Sequence, residues 1–163
     1  MKKYVPFIIL LLVAFTADFF RDYLFVNLNY QIHYLNYSDF NYTDSMIEKY
    51  VHVYSLDDLK KLKWKFSFFF IFLYMLLPYL LIHFQYKISK KKLQTLLLLF
   101  FFIILSFSSI SYFISTHVND ISLRNSFYYI SMELSHYIQS SLSFISMFMI
   151  FELYQLFNNP STQ

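Results

Sequence analysis

Glu133 and His136 stand three residues apart, a spacing that turns both side chains to one face of a helix, as in the Glu-x-x-His ligand pairs of metal-binding bundles. Glu48 and His52, four apart, share a face of a second predicted helix and offer two further ligand types. Di-metal bundles use two Glu-x-x-His copies plus two more carboxylates. Only one copy occurs here, so Glu133 and His136 are read as an interfacial polar pair at the mouth of a bundle and no metal is assigned. Ser135 or Ser140 with His136 and Asp120 supplies the residue types of a hydrolytic triad, but serine is so abundant that the coincidence singles out no nucleophile. The chain contains no glycine, which removes the strained nucleophile elbow of the hydrolases and the glycine loops that cradle nucleotide phosphates. It contains no cysteine either, which excludes disulfides, thiolate ligands and cysteine nucleophiles. No catalytic residue and no cofactor are therefore assigned.

Two other constellations are structural in character. Asp18 and Arg21 lie three apart at the far end of the first apolar run. Charge at a bilayer centre costs about 2.5–3.5 kcal/mol on insertion scales and less near the interface, so they are expected to pair at the interface. Ser131, Ser135, Gln139 and Ser143 recur every four residues, and Ser106, Ser108, Ser109, Ser111 and Ser115 mark the preceding apolar run. Small hydroxyl faces let helices approach closely in lipid and bond at about 0.6 kcal/mol each. This seam is expected to join the last two spans or to line a partner-binding face. Gln139 is the candidate contact, since a buried amide needs a partner.

The elements that must carry these residues follow from composition. Of 163 residues, 58% are hydrophobic and 14% charged, against about 25% charged in an average soluble domain. The reading is an all-α polytopic membrane protein, a single integral domain over residues 1–163, with four transmembrane helices and a helical extramembrane loop. The spans are placed at about 4–20, 66–84, 93–115 and 137–157, each near the ~20 residues that cross a hydrocarbon core. The first, behind Lys2 and Lys3, is read as uncleaved. Pro78 is expected to kink the second. The fourth is expected to be the end of a single helix beginning near Asn119. In the outer loop, about 21–65, Ser45 with Glu48 and Ser55 with Asp58 fit capping boxes, which places a short helix near 46–53 and a second from Leu56 into the second span. Leu24, Phe25, Leu28 and Ile32 share a helical face, so the first helix is expected to continue along the membrane surface.

Positive charge collects on cytoplasmic faces, and with four spans both termini share a side. Lys2, Lys3, Lys87, Lys90, Lys91 and Lys92 fall on the terminal side, and Arg21, Lys49, Lys60, Lys61, Lys63, Lys65 and Arg124 on the other. The count is six against seven. The termini are placed in the cytoplasm because the six crowd into short segments flush with the membrane. A formal net charge of +3, with its lysines hugging the membrane segments, argues against nucleic acid, and the basic run Lys87–Lys92 is read first as a topology signal and second as an anionic-lipid contact.

The stretch RDYLFVNLNYQIHYLNY, Arg21 to Tyr37, directly follows the first span. Trp64, a basic connector and the segment MELSHYIQSS come later, before a final span. This layout resembles a group of small four-span bacterial membrane proteins associated with exosortases, transpeptidases that process exported proteins bearing a C-terminal sorting signal. The resemblance implies an inner-membrane accessory protein that binds another integral membrane protein, with Arg21, Asp22, Phe25, Asn27, Asn29 and Gln31 matching the loop pattern. The glycines expected near the fourth span are missing, and with no cysteine the chain is not itself the processing enzyme. The alternative reading is a membrane enzyme or transporter component with an outer-face polar site at Glu133, His136 and Gln139.

Overall fold

A computed structural model describes residues 4–36, 45–86 and 90–158; Lys2, Lys3, Tyr37 and Lys87 lie outside the described residues. Among the described residues six helices follow in order: α1 Val5–Asn36, α2 Glu48–Val51, α3 Leu56–Gln85, α4 Lys90–His117, α5 Ile121–Ile138 and α6 Ser141–Asn158. No strand occurs among the described residues, and the all-α class is as expected. Helices α3 and α4 are each long and apolar enough to cross a membrane, and α5 with α6 passes the same test as one bent pair, giving two to three candidate spans. Helix α1 stands outside that set. Its apolar stretch is interrupted by Asp18, Arg21 and Asp22.

The first helix runs through the expected loop boundary without a break. Its 32 residues extend about 48 Å at 1.5 Å per residue, more than the ~30 Å of a hydrocarbon core. The segment 21–36 is therefore helix, and the connection to α3 is confined to residues 37–55. Helix α3 starts as its sequence dictates. Ser55 is the N-cap, its hydroxyl donates to the Asp58 carboxylate at 2.6 Å, the Asp58 amide donates back to Ser55 Oγ, and the Ser55 amide donates to Asp58 Oδ2, which completes the box. These bonds hold the Asp58 carboxyl below the usual carboxylate range, the Ser55 side-chain bond contributing most. The Ser45 box does not form. Ile47 takes the N-cap position of α2, and the Glu48 amide closes a turn on the Ser45 carbonyl at 3.3 Å. Pro78 lies buried inside α3, which continues through it to Gln85.

Two apolar clusters hold the helices. The larger joins α1, α3, α4 and α6 through Leu10, Ala14, Tyr74, Leu77, Leu81, Leu97, Phe101, Phe144, Met147 and Phe151. Aromatic faces lock its lower end: Phe7 stacks on Phe148 at 3.8 Å and on Phe144 at 5.7 Å. The smaller cluster, Leu28, Val51 and Leu59 with Ile32, Ile47, Leu62 and Phe66 around it, ties the extensions of α1 and α3 together under α2. Contacts fix the directions. Tyr4 meets Phe148 and Asp18 meets Ser141, so α1 is antiparallel to α6, and Tyr74 at Asp18 with Phe70 beside Phe25 makes α3 antiparallel to α1.

The chain from Asn119 onward is not a single helix. It breaks at Gln139 and Ser140 and bends by 69° into α6, so the expected span 137–157 straddles the break. The serine side chains weaken the ladder there. Ser140 Oγ donates to the Tyr137 carbonyl at 2.7 Å, and Ser143 Oγ donates to the Ser140 carbonyl at 2.8 Å and the Ile138 carbonyl at 3.2 Å. Side chains that take backbone partners compete with the helical ladder.

Candidate functional site

The break exposes backbone groups that need partners: carbonyls at the end of α5 and amides at the start of α6. In lipid each unmet group costs several kcal/mol. Asp18 and Arg21, one turn apart on α1, provide the partners. The Arg21 guanidinium donates through Nη1 to the Gln139 carbonyl. The Asp18 carboxylate accepts the Ser141 amide at 3.1 and 3.2 Å. Cation meets the negative end of one helix and anion the positive end of the next, which is the favourable sense of both helix dipoles. The two charges are 3.5 Å apart, with side chains 14% and 20% exposed. Tyr74 completes the clasp from α3, its hydroxyl in range of Asp18 Oδ1 at 2.6 Å and the Ala14 carbonyl at 2.9 Å.

The depth of this clasp departs from expectation. Tyr74 is the ninth of the nineteen residues in the charge-free run Phe66–Phe84 of α3, about 12 Å from its start at 1.5 Å per residue. Asp18 and Arg21 thus sit level with the middle of an apolar span and not at its edge. Their pairing is as expected; their place is set by what they hold.

The other residues singled out in the sequence serve the same architecture. Asp22 accepts from Arg21 Nη2 at 2.7 Å and Nε at 3.0 Å while its side chain stays 64% exposed. Phe25 packs on Phe70 with ring centres 6.0 Å apart. Asn27, buried, donates to the Tyr23 carbonyl at 2.8 Å and accepts the Met46 amide at 2.7 Å, pinning the chain before α2. Asn29 accepts from Lys63 Nζ at 2.8 Å. Gln31 is 3% exposed. The Gln139 side chain, also buried, donates to Ser135 Oγ at 3.0 Å. Arg21 and Gln139 are brought together; Asn27, Asn29 and Gln31 belong to the upper extension, away from the clasp.

The serine seam joins α4 to α5: Ser108 Oγ donates to the Ser131 carbonyl at 3.0 Å and lies 3.3 Å from its hydroxyl, with Ser111 and Ser115 buried alongside. At the opposite end of the bundle Glu152 accepts from Tyr86 Oη at 2.7 Å and Gln85 Nε2 at 3.2 Å. Glu133, His136, Glu48 and His52 are all exposed, and among the described residues no group of three His, Cys, Asp or Glu is placed to hold a metal ion. No family model, curated protein or solved structure matches the chain.

Proposed function

We propose that the chain is a non-enzymatic accessory or scaffold protein that binds another integral membrane protein against the outward face of α1. Asp22 is the observation that carries the reading. It lies one turn beyond Asp18, about 6 Å further along α1, still within the ~15 Å half-thickness of a hydrocarbon core measured from the clasp. It shares a helical face with exposed Phe15, Phe19 and Val26, and Phe15, Thr16, Phe19, Phe20 and Tyr23 line a shallow groove beside it. A carboxylate turned outward from an apolar stripe at that depth is costly. Arg21 offsets part of the cost yet leaves most of the side chain uncovered. A neighbouring span bearing a cation or a donor would cover it.

In this reading α1 is itself a span, because α3 and α6 flank it at the same level, and with α3, α4 and the bent pair α5–α6 it makes four crossings. Arg21 lies inside the membrane, which leaves six basic residues on each side. The short, flush lysine segments near the termini favour a cytoplasmic location for both ends, in a bacterial inner membrane. The resemblance of Arg21–Tyr37 to the exosortase-associated group directs the search toward an exosortase-type export and sorting system.

The test is affinity purification of the tagged full chain in mild detergent with mass spectrometry of what accompanies it. A stoichiometric membrane protein is expected, and Asp22→Asn should weaken its recovery about tenfold, since a charged hydrogen bond is worth about 1.5–3 kcal/mol. Recovery of the chain alone would overturn the accessory reading. A partner retained undiminished by Asp22→Asn would move the docking face off α1.

A further inference from the structure

A second exposed stripe runs down α3 and has a different composition. Lys60, Trp64, Phe68 and Phe72 follow one another at four-residue spacing, and Lys61, Lys65 and Phe69 form the adjacent row. All seven are exposed, and Trp64 is 62% so. Residues four apart stack along one helix face, so the three lysines cap a strip of four aromatic rings. Trp64 and Phe68 lie 6.2 Å apart and tilted by 34°, one behind the other along the strip.

The charge-free run begins at Phe66, which sets Trp64 and Lys65 at the headgroup level, where amphipathic rings and snorkelling cations reside. Lys63 faces elsewhere, bonded to Asn29. The acidic side chains nearest in sequence are Asp57 and Asp58, a turn farther from the membrane; Asp58 is bonded to Ser55 and also attracts Lys61, and Asp57 stands one turn before Lys61 in the same row. The geometry points to a binding site for one anionic phospholipid: Lys60, Lys61 and Lys65 hold the headgroup phosphate while an acyl chain lies along Phe68, Phe69 and Phe72. Charge complementarity selects a lipid as the occupant, because the aromatic strip continues from the lysines down the span, along which the acyl chain of a headgroup held by those lysines would lie. The inference rests on the membrane placement of α3 and is independent of the partner proposed for α1.

Trp64 is the sole tryptophan of the chain, so its fluorescence reports on this site alone. The full-length protein is placed in lipid nanodiscs containing either acyl-brominated phosphatidylglycerol or acyl-brominated phosphatidylcholine, and quenching is titrated against mole fraction. Selective attraction amounts to roughly fivefold per lysine near the surface, so phosphatidylglycerol should quench at a several-fold lower mole fraction. In the triple variant Lys60→Gln, Lys61→Gln, Lys65→Gln the preference should vanish while general quenching persists, and the matching triple Lys→Arg variant should keep it. Soluble glycerol phosphate should not compete. Equal quenching by the two lipids in the wild type, a preference that survives the Gln substitutions, or loss of preference only on Lys90→Gln, Lys91→Gln, Lys92→Gln at the other end would overturn the site. No quenching by either lipid would instead overturn the membrane placement.

Discussion

At the scale of single residues, the consequential group is the Asp18–Arg21 ion pair, because its two charges are held level with the middle of an apolar span and each is hydrogen-bonded to backbone across the helix break. Removing one partner of a buried ion pair leaves the other uncompensated, which costs about 3–5 kcal/mol. Arg21→Leu is therefore expected to destabilise the protein by that order in reversible unfolding from detergent micelles. The double variant Asp18→Asn, Arg21→Gln should lose less than the sum of its single changes, with a coupling of about 0.5–3 kcal/mol. Tyr74→Phe removes a hydroxyl that donates to the Asp18 carboxylate and should cost about 1.5–3 kcal/mol. An Arg21→Leu protein as stable as the wild type would show that the clasp carries no weight.

At the scale of elements, helix starts are decided by local hydrogen-bond competition. The Ser55 box makes α3 begin where it does. Ser55→Ala should cost about 0.5–2 kcal/mol, read as lost amide-exchange protection in the first turn of α3. Asp58 adds a pH dependence of known sign. Its carboxyl is depressed in the folded state, so its stabilisation is complete above the ordinary value of 3.8 and is lost as pH falls through the lower folded value. Protection at the start of α3 should stay level from neutral pH down to about pH 5 and decline below about pH 4. Asp58→Asn should abolish that acid limb; a limb that persists would assign it to another group. In the α4–α5 seam, Ser131 is buried against Ser108, and Ser131→Leu should overpack the contact by about 1–3 kcal/mol.

At the scale of the whole molecule, the question is how often the chain crosses. The absence of cysteine provides a clean background for single-cysteine labelling with a membrane-impermeant maleimide in sealed vesicles. With four crossings, Val53→Cys and Asn119→Cys react from one face, and Tyr4→Cys and Phe157→Cys from the other. If Phe157→Cys shares the face of Asn119→Cys, the bent pair α5–α6 enters and leaves on the same side. If Tyr4→Cys shares the face of Val53→Cys, α1 does not cross. The antiparallel contacts of α1 with α3 and of α1 with α6 support the first outcome.

Taken by itself, the sequence determined what depends on neighbours along the chain. Helical class, the Ser55–Asp58 cap, the continuation of α1 through Leu24, Phe25, Leu28 and Ile32, the Asp18–Arg21 pairing and the serine seam are all matters of composition and of three- or four-residue spacing. Tertiary structure alone decided where the fourth run breaks, because Gln139, Ser140 and Ser141 are compatible with helix until Asp18 and Arg21, more than a hundred residues away, offer partners to the freed backbone. It also decided the depth of that ion pair. Hydropathy places a charge at the nearest interface, whereas packing lets Tyr74, Ser141 and Gln139 replace the water that Asp18 and Arg21 would otherwise seek. For the same reason Asn27 and Asn29, read as part of a partner-binding loop, are bonded to Met46 and Lys63 within the fold: a polar side chain advertises the need for a partner, and only the fold says which one it finds.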